Sequence, residues 1–124
     1  MAEVPTEIVK LLMEIGYIAG GQGLFKESRA IFEAVKAARE DSEYPLIGMA
    51  VTELNAGEYN RALELLEEAE QLNAENYLTK SFKGLTYKLI GEITKAKEVL
   101  KEVVANAKEE EALNMARALL KEIS

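Results

Sequence analysis

The side chains available for chemistry are carboxylates, amines, hydroxyls and amides, because the 124 residues include no cysteine and no histidine. This composition excludes thiol and imidazole catalysis, disulfides and the usual zinc sites. Carboxylates are plentiful, but neighbours such as Glu67 and Glu68 point in different directions around a helix. The glycine-rich stretch Gly20–Gly23 lacks the lysine and hydroxyl residue that follow in a phosphate-binding loop. We therefore predict no catalytic residue, no metal site and no cofactor.

Apolar recognition is the chemistry that the spacing does support. One stripe recurs at steps of three and four residues, as on one face of a helix, and consists of Tyr44, Ile47, Val51 and Leu54. A separate stripe on the same segment consists of Leu46, Met49 and Ala50. We predict that the second stripe packs between helices and that the first binds a partner, since exposed apolar patches mark interaction sites. The alternative is that both stripes are core, closed over by the curvature of a helix stack.

The elements that must position these residues recur at a step of 34 residues. Three columns of matching residue types are Gly23, Gly57 and Gly91; Gly16, Ala50 and Gly84; and Phe32, Leu66 and Leu100. A period of this length is typical of stacked repeats, in which neighbouring units bury each other's apolar faces. The units occupy residues 9–42, 43–76 and 77–110, and residues 111–124 remain for one more helix.

The periodicity within each unit predicts a helical hairpin. The first helix runs from about Pro5 to Gly20, and the glycines after it separate it from a second helix. Asp41 and Ser42 are predicted to cap the next hairpin, as residues 73–76 are for the third. The last segment has an apolar stripe opposite polar residues, which predicts a helix covering the final repeat. We expect an all-α fold of three hairpins plus a capping helix, forming a single domain over residues 1–124.

The same columns resemble the tetratricopeptide repeat over residues 9–110. The resemblance rests on the period, on the turn glycines, and on small or aromatic residues in register: Gly16, Ala50 and Gly84; Phe25 and Tyr59; Ala62 and Ala96. The third unit departs from the pattern at Lys80 and Lys83, where the first two units have apolar residues. The resemblance implies a right-handed α-solenoid in which the first helices of the hairpins line a concave groove that holds a partner segment.

The groove implied by this resemblance is mapped by the 34-residue spacing and is mostly apolar. Its members are Lys10, Tyr44 and Leu78; Met13, Ile47 and Ser81; Tyr17, Val51 and Leu85; and Gly20, Leu54 and Lys88. Relatives that bind an acidic C-terminal peptide use lysine, arginine and asparagine across this face. An apolar groove instead suits the apolar side of an amphipathic helix. Lys10 and Lys88 could hold acidic groups at the rim, with a small energetic contribution.

Charge and composition limit the partners. The chain has 22 acidic and 15 basic residues, and its net charge of -7 repels nucleic acid and anionic lipid surfaces. Its apolar runs are far shorter than the roughly 20 residues that a membrane-spanning helix needs. The acidic first residues lack the features of a secretory signal. We expect a soluble, cytoplasmic protein that binds neither nucleic acid nor membrane.

These observations favour a non-enzymatic protein-binding module or chaperone. Small acidic domains of three such repeats resemble the chaperones of bacterial type III secretion, and residues 15–32 and 44–50 look like the needle-subunit branch. That resemblance implies a client with an amphipathic helix, such as a needle or translocator subunit, and a small helical co-chaperone. The alternative is a structural scaffold or homodimer without a client. An enzyme is disfavoured because no nucleophile and base come together in the sequence.

Overall fold

The computed structural model describes residues 3–124, and every regular element in this part of the chain is an α-helix. The helices are α1 (Thr6–Gly21), α2 (Phe25–Ala38), α3 (Tyr44–Asn55), α4 (Tyr59–Leu72), α5 (Tyr77–Leu89), α6 (Ile93–Asn106) and α7 (Glu110–Ile123). Helices α1 to α6 form three consecutive hairpins, and α7 follows the third. The predicted all-α fold of three hairpins plus a capping helix is confirmed.

The turn inside each hairpin has the same backbone geometry. Gly23, Gly57 and Gly91 have φ angles of 82°, 80° and 86°, a left-handed conformation that glycine adopts without steric penalty. The residue after each glycine donates its N–H to the carbonyl five positions earlier: Leu24 to Ala19, Glu58 to Glu53 and Glu92 to Tyr87. This is the Schellman arrangement that satisfies carbonyl groups at a helix C-terminus. The glycine column therefore encodes the turns, as predicted.

Capping residues fix the starts of the later hairpins. Ser42 Oγ accepts a hydrogen bond from the N–H of Tyr44 at 3.2 Å, and Pro45 occupies the first turn of α3. Asn76 Oδ1 accepts from the N–H of Leu78 at 3.1 Å and caps α5. Asp41 lies in the turn before α3, where the helix N-cap is Glu43. The predicted N-caps Asp41 and Ser42 are therefore wrong, although Ser42 accepts a hydrogen bond immediately before the helix.

The contacts divide the chain into two compact units, Met1–Leu72 and Asn73–Ser124. The first unit contains α1 to α4, and the second contains α5 to α7. In the first unit, α3 packs against α1, α2 and α4. In the second, α7 packs against both α5 and α6. Each unit has its own core.

The core of the first unit is built around the fully buried ring of Phe32 on α2. A Cβ atom on Gly16 of α1 would lie 2.8 Å from the Phe32 ring, and one on Gly48 of α3 would lie only 2.2 Å away. Real Cβ atoms do not approach this closely, so the missing side chains let α1 and α3 close on the ring. Gly16 belongs to the predicted column of small residues, whereas Gly48 does not.

A buried pair of hydroxyl groups joins the same three helices. Ser28 Oγ lies 2.8 Å from the carbonyl of Gly16 and 2.7 Å from Thr52 Oγ1, which in turn lies 3.0 Å from the carbonyl of Gly48. Two hydroxyl protons serve these three contacts, so two of the three are hydrogen bonds at any one time. The pairing satisfies both buried side chains and holds α1, α2 and α3 together.

A bidentate ion pair adds a second link between α2 and α3. Arg29 donates from Nε to Glu53 Oε2 at 2.7 Å and from Nη2 to Oε1 at 2.9 Å. The hydrogen bonds to Glu53 raise the pKa of Arg29 further above its already high value. The Glu53 side chain is 9% exposed and that of Arg29 is 40% exposed. Water can therefore solvate the guanidinium group, whereas the buried carboxylate relies on the ion pair to compensate its charge.

Replacing Arg29 with methionine is expected to lower the free energy of unfolding by about 1–2 kcal/mol, measured by urea denaturation. The change leaves the buried Glu53 carboxylate without its cation, and the exposure of Arg29 keeps the loss below that of a fully buried pair. Lys26→Met is the matched control, since Lys26 is an exposed cation on the same helix. A loss equal to that of the control would show that the ion pair contributes nothing.

In the second unit, α7 packs over α5 and α6. Its buried hydrophobic cluster comes from α6 and α7 and consists of Ala96, Leu100, Val103, Ala112, Ala116 and Leu119. Lys80 and Lys83, the two departures from the repeat pattern, place their ammonium groups 5.2 Å and 6.0 Å from the ring centroids of Tyr77 and Tyr87. Cations at this distance are attracted to the aromatic face. The lysines thus pack along the unit with their charges against aromatic rings.

Candidate protein-binding site

The first unit has an apolar cavity of about 440 Å³ near the N-terminal ends of α1 and α3 and the C-terminal end of α2. Its lining residues are Thr6, Val9, Lys10, Met13, Glu14, Val35, Arg39, Ser42, Tyr44 and Pro45. Successive turns of α1 contribute Val9 and Met13, and the first turn of α3 contributes Tyr44. The cavity is large enough to receive one or two side chains of a partner.

Three of the residues assigned to the groove from the sequence meet at this cavity: Lys10, Met13 and Tyr44. Tyr44 is 52% exposed, so most of the ring is available to a ligand. Val9 and Arg39 are not among the groove residues predicted from the sequence. Val9 could have been found, because it lies four residues before Met13 and so shares its helix face. Arg39 gave no such signal, since it follows the end of α2.

Two cations, Lys10 and Arg39, and one carboxylate, Glu14, are among the lining residues of the cavity. Arg39 Nη1 donates to the carbonyl of Ala38 at 3.0 Å, and Nη2 donates to the carbonyl of Val4. These partners are neutral, so they hold the guanidinium group in place without cancelling its charge. Within residues 3–124, neither Arg39 nor Lys10 has a carboxylate partner. The site can therefore take an apolar side chain together with an acidic group at its rim.

The assignment of Ile47 and Ser81 to the groove is wrong, because both side chains are fully buried within their own units. Ile47 lies on α3, which has α1, α2 and α4 packed around it, so little of the helix circumference remains for a partner. Ser81 donates its hydroxyl to the carbonyl of Ala112 at 3.0 Å and is covered by α7. Neither side chain presents a surface to a client.

Of the other predicted groove residues of the first unit, Tyr17, Val51 and Leu54 are partly accessible. Tyr17 is 37% exposed and contacts Phe32 edge-on, with the ring centroids 5.0 Å apart. Val51 and Leu54 are half-buried on α3, and Gly20 is buried. Tyr17 is thus anchored in the core on one side while it keeps part of its ring at the surface.

The predicted groove residues of the second unit lie on α5. Leu78 and Leu85 are half-buried, and Leu85 packs against the core of that unit. Lys88 Nζ is paired with Glu122 of α7 at 2.7 Å, so its charge is already partly compensated. Of this set, Leu78 and Leu85 retain the apolar surface that a client could contact.

Comparison with known families identifies the repeat. The sequence profile of the tetratricopeptide repeat matches residues 53–120, which is more than half of the chain. The chain belongs to the tetratricopeptide repeat family. Members of this family are protein-binding modules, and their stacked hairpins form extended binding surfaces. Comparison with curated protein sequences gave no match.

Solved structures of similar fold include tetratricopeptide proteins bound to peptides. The Yersinia enterocolitica type III secretion chaperone SycD, in complex with a peptide of the translocator YopD, is 16% identical with a TM-score of 0.75, covering 98% of this chain and 96% of that one. PcrH in complex with the chaperone binding region of PopB is 13% identical, with a TM-score of 0.79 and full coverage of both chains. The first repeat domain of Spaghetti (RPAP3), bound to the HSP90 peptide SRMEEVD, is 18% identical with a TM-score of 0.73. The alignment covers 99% of this chain and 98% of that one. These similarities establish the fold.

Two features of other functional classes are absent from residues 3–124. No described helix has both the length and the apolar character needed to cross a membrane. No group of three or more acidic side chains in the same range comes together in a way that could hold a metal ion.

Proposed function

We propose that this chain is a chaperone-like module that holds an apolar segment of a client protein against the first unit, with the cavity beside Tyr44 as the anchor point. The observation that carries the proposal is the cavity itself, lined by apolar side chains from three helices and bordered by Lys10 and Arg39. Cavities of this kind take one large apolar side chain as an anchor, while polar groups around it fix the orientation.

The chemistry of the cavity favours an amphipathic helical segment over an acidic tail. Val9, Met13 and Tyr44 offer an apolar surface, and the charged lining residues are the two cations and Glu14. A client helix would place one apolar side chain in the cavity and a second one a helical turn away, near Tyr17 or Val51. An acidic residue on its polar side would then lie within reach of Arg39.

We further propose that the client is a component of a secretion machine. Support comes from the two translocator chaperones, whose chains align with this one over nearly its whole length and which bind segments of YopD and PopB. These relatives favour a translocator-type client over a needle subunit. A small helical co-chaperone remains a prediction from the sequence resemblance.

Tyr44→Asp is expected to reduce client capture at least tenfold while leaving the helical content unchanged. Tyr44 is 52% exposed, so the fold does not depend on its ring, but the change removes that ring from the anchor point and places a carboxylate where it would compete with an acidic group of the client for Lys10 and Arg39. The measurement is co-purification of the tagged protein from its native host with quantitative mass spectrometry, beside circular dichroism of the purified variant.

Leu72→Asp is the matched control, because Leu72 is an exposed apolar residue of the same unit, 41% accessible, that lies outside the cavity. It introduces the same charge and should retain the client. Loss of the same proteins from both variants would contradict a site at the cavity. Size-exclusion chromatography with light scattering adds a second check, since a stable homodimer that buries Tyr44 and takes up no client would overturn the proposal.

A further inference from the structure

We infer that α1 carries a second docking surface, separate from the cavity, which binds an amphipathic helix with basic flanks from another protein. The surface is the α1 stripe, formed by Ile8, Leu11, Ile15 and Ile18, which are 45%, 51%, 42% and 60% exposed. Four large aliphatic side chains side by side form an apolar patch of the kind that marks an interaction site. The inference extends beyond the proposed client site, because it concerns a different face of the helix.

The spacing of the α1 stripe is that of a helix-pairing seam. Its residues follow one another at steps of three, four and three, which is the a/d pattern of a coiled coil. The face of α1 that packs inside the first unit is a different one, centred on the buried residues Gly16, Ala19 and Gly20. The α1 stripe therefore extends the apolar surface of the helix beyond the residues that pack in the core.

The second hairpin shows what covers this face in the rest of the unit. One repeat later, the counterparts of Leu11, Ile15 and Ile18 are Pro45, Met49 and Thr52. Pro45 and Thr52 are buried and Met49 is half-buried, since α1 and α2 pack against α3. On α1 the same positions remain open to solvent. A helix is thus the occupant that the repeat geometry accommodates at this position.

The charges beside the α1 stripe indicate which helix would bind. Glu7 and Glu14 lie three or four residues from Leu11, so both border the stripe, with Glu14 also lining the cavity. Among residues 3–124, neither carboxylate forms an ion pair. A second copy of this chain in antiparallel pairing would place Glu7 of one copy near Glu14 of the other, and each copy carries a net charge of -7. A foreign helix with lysine or arginine on its flanks meets complementary charge instead.

A matched set of synthetic peptides tests the inference on the full chain. The first peptide has about four heptads, with isoleucine and leucine at the a and d positions and lysine at e and g, so that like charges keep it from pairing with itself. The second has glutamate at e and g, and the third has the composition of the first in scrambled order. Binding is measured by fluorescence anisotropy at about 50 mM and about 300 mM salt.

The lysine peptide is expected to bind at least tenfold more tightly than either of the others at low salt, with a smaller advantage at high salt. Replacing Leu11 and Ile15 with asparagine should abolish this binding. Val104→Asn, at an apolar residue of α6 that is 38% exposed, should leave it intact. The double change Glu7→Lys with Glu14→Lys should reverse the preference in favour of the glutamate peptide. None of these three variants is expected to differ from the unmodified protein in helical content.

Three results would overturn the inference. The first is equal affinity for the lysine peptide and its scrambled form, which would indicate attraction to the net charge alone. The second is failure of all peptides to bind. The third is a homodimer in light scattering that Leu11→Asn converts to a monomer, since the stripe would then pair with a second copy. Tyr44→Asp should not affect peptide binding, so failure of this site and failure of the client site can be told apart.

Discussion

Ending the chain at Glu110 is expected to abolish cooperative unfolding of the second unit. The truncation removes all of α7 except its first residue. Leu113 and Leu119, which are 9% and 7% exposed in the intact unit, are lost, and Leu100 and Val103 of α6 lose their cover. Burial of the two leucines alone contributes about 3–6 kcal/mol before entropy, a large share of the about 5–15 kcal/mol that stabilises a whole domain.

Circular dichroism and dye binding would show the result. We expect a fall in helical signal larger than the loss of one helix explains, a broad thermal transition, and increased fluorescence of a dye that binds exposed apolar surface. Arg117→Ala is the control on the same helix, because Arg117 is exposed and its removal should change stability by less than about 0.5 kcal/mol. A truncated protein with a sharp transition near the full-length temperature would show that α5 and α6 are stable without α7.

The backbone of this fold follows from local features of the sequence. Each hairpin turn needs a residue with positive φ and a particular hydrogen-bond pattern, and glycine at a fixed spacing encodes both. The helices follow from apolar periodicity, and α7 follows from its one-sided apolar stripe. Such features act over a few residues, so they can be recognised without knowledge of long-range contacts.

The candidate site was harder to predict because it depends on how many helices surround each face. Periodicity placed Tyr44 and Ile47 on one face of α3, yet Tyr44 is half-exposed and Ile47 is fully buried. The difference arises because Tyr44 lies in the first turn, at the edge of the packed region, whereas Ile47 lies one turn further inside. Arg39 was missed for a related reason, since its role depends on the path of the chain beyond the end of α2.

The α1 stripe illustrates the opposite case. In the sequence, Ile8, Leu11 and Ile15 contribute only to the apolar periodicity that predicts α1. The periodicity does not show how much of this apolar face the neighbouring helices cover. The structure separates the part that packs against α2 and α3 from the part that remains at the surface.

Replacing Gly48 with alanine is expected to lower the free energy of unfolding by about 2 kcal/mol. Alanine is intrinsically the better helix former, by about 1 kcal/mol. Against this gain, the new Cβ would lie 2.2 Å from Cε1 and 2.6 Å from Cδ1 of Phe32. The ring cannot move away, because it is fully buried and Gly16 and Tyr17 of α1 confine it on the other side. Overpacking of this kind costs about 1–3 kcal/mol and sometimes more, so the steric term dominates.

A double-mutant cycle with Phe32→Leu would identify the cause. Leucine is smaller than phenylalanine, so the alanine Cβ at position 48 should be tolerated better in the Phe32→Leu background, with a coupling energy of about 1 kcal/mol or more. Gly21→Ala is the control, since Gly21 ends α1 and a Cβ there would meet nothing within 4 Å. It should be neutral or slightly stabilising. Equal effects of Gly48→Ala in both backgrounds, measured by urea unfolding, would show that contact with Phe32 does not account for the glycine at this position.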